Sequence, residues 1–131
     1  MAVFLLDTSV LIDAINQKRN RPELLRELLR RGHTLACCPI NVTEVYAGMR
    51  PHEESRTEEF LRSLQYSPIT WPVARLAGLL KRDYSRKGIA LATTDVTIAA
   101  VALYHHYTLV TDNLKDYPMR ELDLYPLPKA A

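Results

Sequence analysis

A chain of 131 residues is the usual size of one domain and can bury a core without disulfide or metal staples, so a single domain over residues 1–131 is expected. Its 47% hydrophobic and 24% charged residues exclude a disordered chain, and the longest nearly apolar run, Val96 to Tyr104, is too short to cross a bilayer. The net charge of +2 permits a nucleic-acid partner without demanding one. The apolar start lacks a basic leader and is broken at once by Asp7, so it does not read as a signal peptide, and a cytoplasmic location is expected. Cys37 and Cys38 are neighbours in a predicted strand whose side chains point to opposite faces, which favours two reduced, structural thiols over a bridge.

Val3 to Leu6 is a short continuous apolar run, the pattern of a strand buried on both faces of a parallel sheet, and Asp7 stands where it stops. Thr8 or Ser9 can cap a short helix reaching about Asn16. After a polar connection, Pro22 suits the first turn of a second helix with a stripe of Leu24, Leu25, Leu28 and Leu29, stopped by Gly32. Thr34 to Cys38 reads as a second strand, and Pro39 opens a helix carrying Glu44, Val45, Tyr46 and Met49. The polar run from His52 to Gln65 predicts an exposed helix with a narrow seam of Phe60, Leu61 and Leu64.

Pro68 to Trp71 reads as a third strand, and Pro72 starts a long helix with Val73, Leu76, Ala77, Leu80 and Tyr84 at helical spacing up to Gly88. Its basic end, Lys81, Arg82, Arg86 and Lys87, suits solvent or a phosphate backbone. Thr93-Thr94-Asp95 precedes a helix over Val96 to His106 that is apolar around most of its girth and therefore central. Thr108 to Thr111 is a fourth strand, followed by Asp112, Asn113 and Asp116, and Leu122 to Leu127 adds an edge strand before a Pro-containing tail. Strands alternating with helices predict an α/β fold with a central, mainly parallel sheet of four or five strands flanked by helices.

The acids carry the chemistry. In open parallel sheets ligands bind beyond the carboxyl ends of the strands, which is where Asp7 and Asp112 fall. Glu44 among Val42, Val45 and Tyr46, and Asp95 before an apolar helix, are placed where a lone charge is costly to bury. Converging carboxylates repel one another, and a divalent cation such as Mg²⁺, which prefers oxygen ligands, relieves that repulsion and can activate water for displacement at phosphorus. Each acid also has an ordinary structural reading, Asp95 as a helix cap and Asp7 or Asp112 as a turn residue. His33, His52, His105 and His106 show no metal-ligand spacing, and no glycine-rich phosphate loop or nucleophile elbow is present.

Four segments carry a resemblance to a known family. Leu5-Leu6-Asp7-Thr8-Ser9-Val10-Leu11-Ile12, Thr43-Glu44-Val45-Tyr46-Ala47-Gly48-Met49-Arg50, Thr94-Asp95-Val96-Thr97-Ile98-Ala99-Ala100 and Leu109-Val110-Thr111-Asp112-Asn113-Leu114-Lys115-Asp116-Tyr117 resemble, in order, the motifs of PIN-domain proteins, specifically the VapC toxins of type II toxin–antitoxin systems. The resemblance implies a PIN-like three-layer sandwich and a Mg²⁺-dependent endoribonuclease, with Mn²⁺ able to substitute. It implies Asp7 and Asp95 as primary metal ligands, with Glu44 supporting the metal or its water. The fourth corner stays open between Asp112, Asn113 and Asp116: the family commonly has Asp or Asn at the place of Asn113 and an acid or His at Asp116, while Asp112 falls on a variable position.

The resemblance further implies a VapB-type antitoxin as partner and a homodimer, with Phe60, Leu61, Leu64, Tyr46 and Met49 as the surface to inspect for either. Single-stranded or loop RNA is the expected substrate, since duplex RNA hides its base edges. Arg50, Lys87 and Lys115 are candidate guides for its backbone. Thr8, Ser9 and Thr111 are candidates to orient carboxylates or water. Two rivals stand beside this reading, a PIN nuclease of RNA processing and an inactive PIN-like binding module.

Overall fold

The computed structural model describes residues 2–125 and 127. Among these residues the sheet has five strands, β1 (Val3–Leu6), β2 (Thr34–Cys37), β3 (Gln65–Tyr66), β4 (Thr108–Val110) and β5 (Asp123–Tyr125), in the order β3-β2-β1-β4-β5. All neighbours are parallel. β1 is therefore central, with Leu5 beside Ala36 of β2 and Leu109 of β4. Six α-helices accompany them: α1 (Thr8–Ile15), α2 (Arg21–Arg30), α3 (Pro39–Gly48), α4 (Glu54–Arg62), α5 (Trp71–Arg86) and α6 (Thr93–His105).

The period of two along each strand divides the core in two. Leu5, Ala36 and Leu109 face α5 and α6, packing on Val73, Ala77, Val96, Ile98 and Val101. Phe4, Leu6, Leu35 and Val110 face the opposite layer, with Val10, Leu11, Leu25, Leu28, Val45 and Leu61. The result is the expected three-layer arrangement. α6 is buried without interruption from Val96 to Ala102, as an apolar helix in the middle of a domain must be. Leu5 is fully buried at the sheet centre, so Leu5→Ala is expected to destabilise the fold by about 3 kcal/mol, read from a shifted urea midpoint.

Several local expectations are corrected. The third strand is Gln65–Tyr66 and not Pro68 to Trp71. Ser67 N–H still donates to Cys37 O, but Pro68 has no N–H to continue the ladder. Thr70 then becomes the N-cap of α5, with Trp71 and Pro72 in its first turn. α1 is capped by Asp7, not by Thr8 or Ser9, and α6 begins at Thr93, which puts Asp95 inside its first turn and not at its cap. Cys38 leaves β2 to cap α3, and the two free, buried cysteines lie in opposite cores as predicted. Burial pushes the Cys37 thiol up to about 11, which keeps it protonated and unreactive at neutral pH.

The 52–65 segment is a short 3₁₀ turn, Pro51–Glu53, followed by α4. Leu61 closes the core beneath it, with Phe60 and Leu64 packed against the same cluster. β5 ends at Tyr125, and the tail predicted beyond Leu127 lies outside the described residues. Among the described residues no helix is long and apolar enough to cross a membrane.

Candidate metal centre

β1 delivers Asp7 to the carboxyl edge of the sheet, and the backbone holds it there. Its N–H donates to Val110 O at 2.9 Å, extending the ladder with β4, while its own C=O accepts from Val10 and Leu11 in the first turn of α1. The carboxylate is 6% exposed and heavily solvated by the protein. Oδ1 accepts from Thr8 N–H (2.9 Å) and from the Tyr117 hydroxyl (3.2 Å), and Oδ2 accepts from Thr111 Oγ1 (2.7 Å). A buried carboxylate is tolerated only with partners of this kind.

Glu44 enters from α3 through a relay. Asn41, fully buried, accepts from Cys38 N–H at 2.8 Å and donates from Nδ2 to Thr8 Oγ1 at 3.1 Å. Thr8 Oγ1 in turn donates to Glu44 Oε1 at 2.7 Å. The first turns of α1 and α3 are thereby joined and the Glu44 carboxylate is aimed. Asp95 comes from the first turn of α6, half-buried. Burial raises its pKa, and the charges of Asp116, Asp7 and Glu44 raise it further, with the Tyr117 hydroxyl opposing the rise. Tyr117, 2% exposed, is surrounded by the same group: burial and the charges of Asp7, Asp95 and Asp116 hold its phenol far above the ordinary tyrosine value, so it remains a hydrogen-bond donor.

The family model described as PIN domain matches residues 4–120. The chain belongs to the PIN-domain family. Ribonuclease VapC19 of Mycobacterium tuberculosis is 30% identical over 115 residues, covering 88% of this PIN chain and 92% of its own length. Ribonuclease VapC2 of Rickettsia felis is 27% identical over 120 residues, covering 88% and 90%. Among solved structures, VapBC2 from Rickettsia felis bound to a DNA fragment from its promoter superposes with a TM-score of 0.83 at 26% identity, covering 94% of this chain and 97% of the matched one.

Asp7 at the carboxyl end of β1, Glu44 of α3 and Asp116 lie near enough to Asp95 of α6 for their charges to push its carboxyl up. Asp112 is engaged elsewhere. Its Oδ1 pairs with Arg21 Nη2 at 2.7 Å and its Oδ2 lies 3.6 Å from Arg19 Nη1. Asn113 is exposed, and its N–H donates to Thr111 Oγ1 at 2.9 Å, which fixes the hydroxyl that serves Asp7. Ser9 Oγ, buried in the first turn of α1, has no hydrogen-bond partner. Asn41, Tyr117 and Arg21 are the participants that sequence reasoning passed over. The one signal for Asn41 was its place three residues after Cys38, where a short amide can reach back to a helix N-terminus. Tyr117 lies inside the closing motif but carried no role.

The donor set is all oxygen and dominated by carboxylate, which suits a hard divalent cation and not Zn²⁺ bound by thiolates or imidazoles. Among the described residues no group of three or more His, Cys, Asp or Glu side chains is drawn up as a direct metal-binding cluster.

Proposed function

We propose that this PIN domain is a metal-dependent endoribonuclease, the toxin of a VapBC-type pair, which hydrolyses RNA phosphodiester bonds. The observation that carries the reading is the buried Asp7 carboxylate held at the carboxyl end of β1 by Thr8, Thr111 and Tyr117, with Glu44 aimed by the Asn41–Thr8 relay and Asp95 near enough to feel the repulsion of Asp116, Asp7 and Glu44. Asp7 and Asp95 are the residues to hold Mg²⁺, or Mn²⁺ in its place, with Glu44 and Asp116 supporting it or its water. A bound cation would neutralise this repulsion, activate water and stabilise charge during in-line displacement at phosphorus.

The chain's own residues do the positioning. Thr111, Thr8 N–H and Tyr117 fix the orientation of Asp7, and the Asn41–Thr8 relay fixes one oxygen of Glu44 and leaves the other to act on water. Asp116 takes the fourth corner in this reading, with Asp112 and Asn113 as the anchors beneath it. Arg50, Lys87 and Lys115 are exposed and available to guide an RNA backbone. Lys81 and Arg82 are engaged by Leu91 O and Asp83 respectively.

The antitoxin part of the reading is supported by the relatives, named as VapC ribonucleases and as VapBC structures. Residues 1–131 form one PIN domain, acting in the cytoplasm as a homodimer restrained by a VapB-type antitoxin. Tyr46, Leu61 and Leu64 line an open groove of about 600 Å³ beside α4, a place for an apolar antitoxin segment. Purified protein is expected to cleave labelled structured RNA in Mg²⁺, to stop when EDTA is added, and to resume when Mg²⁺ or Mn²⁺ is restored in excess. Cleavage indifferent to EDTA would discard the metal mechanism, and no cleavage of any RNA alongside intact Mn²⁺ binding would favour a PIN-like binding module.

A further inference from the structure

The Asp7 carboxylate accepts three hydrogen bonds from the protein. An ionised carboxylate offers about four acceptor positions, two on each oxygen. Thr8 N–H and the Tyr117 hydroxyl take both positions on Oδ1, and Thr111 takes one on Oδ2. A single position remains, on Oδ2. The Tyr117 ring is buried, and its hydroxyl reaches Asp7, one of the two residues proposed to hold the cation.

Resting on the proposed metal centre, we propose that Tyr117 is a positioning residue for the cation: by occupying Oδ1 of Asp7 its hydroxyl leaves Oδ2 as the oxygen of that carboxylate open to the metal. A phenol does this where a phenyl group cannot. Phenylalanine would fill the same space in the core but leave one Oδ1 position open, so Asp7 could rotate or present both oxygens.

The experiment is Mn²⁺ binding, followed by the loss of the free-ion electron paramagnetic resonance signal, for wild type, Tyr117→Phe and a chain with 4-aminophenylalanine at position 117. The last restores a donor at the end of the ring. Tyr117→Phe is expected to bind Mn²⁺ about tenfold more weakly, the size of effect usual for a group that orients a metal ligand. The aminophenylalanine chain is expected to recover most of that loss. Thermal melts of all three in EDTA report whether each is folded, and a role confined to packing would move the melts without moving the Mn²⁺ affinity. Mn²⁺ affinities of the wild type and Tyr117→Phe within twofold of each other would overturn the role of Tyr117 and leave the metal centre standing. A Tyr117→Phe chain that does not fold beside an aminophenylalanine chain that folds yet binds Mn²⁺ tenfold more weakly would overturn it too. A wild type that binds no Mn²⁺ would overturn both.

Discussion

Asp95→Asn is expected to cut RNA cleavage at least about a hundredfold, since even loss of an outer-shell partner of a metal ligand costs 10- to 100-fold, and at the same time to stabilise the metal-free protein. The two effects have one cause. Burial and the charges of Asp116, Asp7 and Glu44 raise the pKa of Asp95 in the fold above its ordinary value of 3.8. Between those two values the folded chain binds more protons than the unfolded chain, so this residue's contribution to stability falls as pH rises through the interval and stays low above it.

Asparagine keeps the shape and removes the charge. In EDTA the variant's thermal midpoint should exceed that of the wild type, with little difference near pH 4 and a larger one at pH 7.5. Added Mg²⁺ should raise the wild-type midpoint, because it binds the folded state, and should do less for the variant. Undiminished cleavage by the variant, or an equal loss of stability at both pH values, would remove Asp95 from the centre.

The second large effect belongs to Arg21, a buried cation beside the site and not within it. Its side chain is 3% exposed and pairs with Asp112, itself 17% exposed, at 2.7 Å. Nη1 also donates to Arg19 O at 3.2 Å. Arg21→Ala leaves the Asp112 carboxylate shielded from water with only the looser Arg19 contact. Breaking a buried pair in this way costs about 3 to 5 kcal/mol, and the remaining Arg19 contact puts the expected loss near 3 kcal/mol. Urea unfolding should show it as a lower midpoint at unchanged slope.

The pair also anchors a loop that is unfavourable by itself. Gln17, Arg19 and Asn20 all have left-handed backbones, with φ of 56°, 56° and 57°, a conformation that persists in non-glycine residues only when the surroundings enforce it. Asp112→Asn should cost less, because an amide oxygen still accepts from Arg21. Replacing both partners together by Met and Leu should recover much of the loss, since apolar residues of similar volume need no counter-charge. A single Arg21→Ala variant as stable as wild type would show that the pair contributes nothing.

These two residues also mark how far the sequence could be read. The order of elements, the first strand ending at Asp7 and the buried α6 were legible because each rests on a local pattern: an apolar run cut by an acid, or a 3.6-residue period without a polar face. β3 was misplaced because two residues of strand are too short to show a period, and Pro68 looked like a strand start when it was the end of the ladder. The seam at Phe60, Leu61 and Leu64 was visible, but its division between core and surface depended on the helix's rotation: Leu61 is buried, while it and the half-buried Leu64 edge the groove beside α4.

What the sequence by itself determined is therefore the α/β class, the parallel order and the presence of acids at the carboxyl edge, all consequences of burial periodicity over a few neighbouring residues. The tertiary structure alone decided which acids share a field. Asp112 is an ordinary turn acid to a reader of the chain until Arg21, 91 positions away, pairs with it, and Asp116 is one until the fold sets its charge near Asp95. Tyr117 is an ordinary aromatic until the sheet closes and sets its hydroxyl against Asp7, 110 positions away. Contacts of that span leave no periodic trace, since the partner's identity is fixed by where the backbone returns and not by its neighbours in sequence.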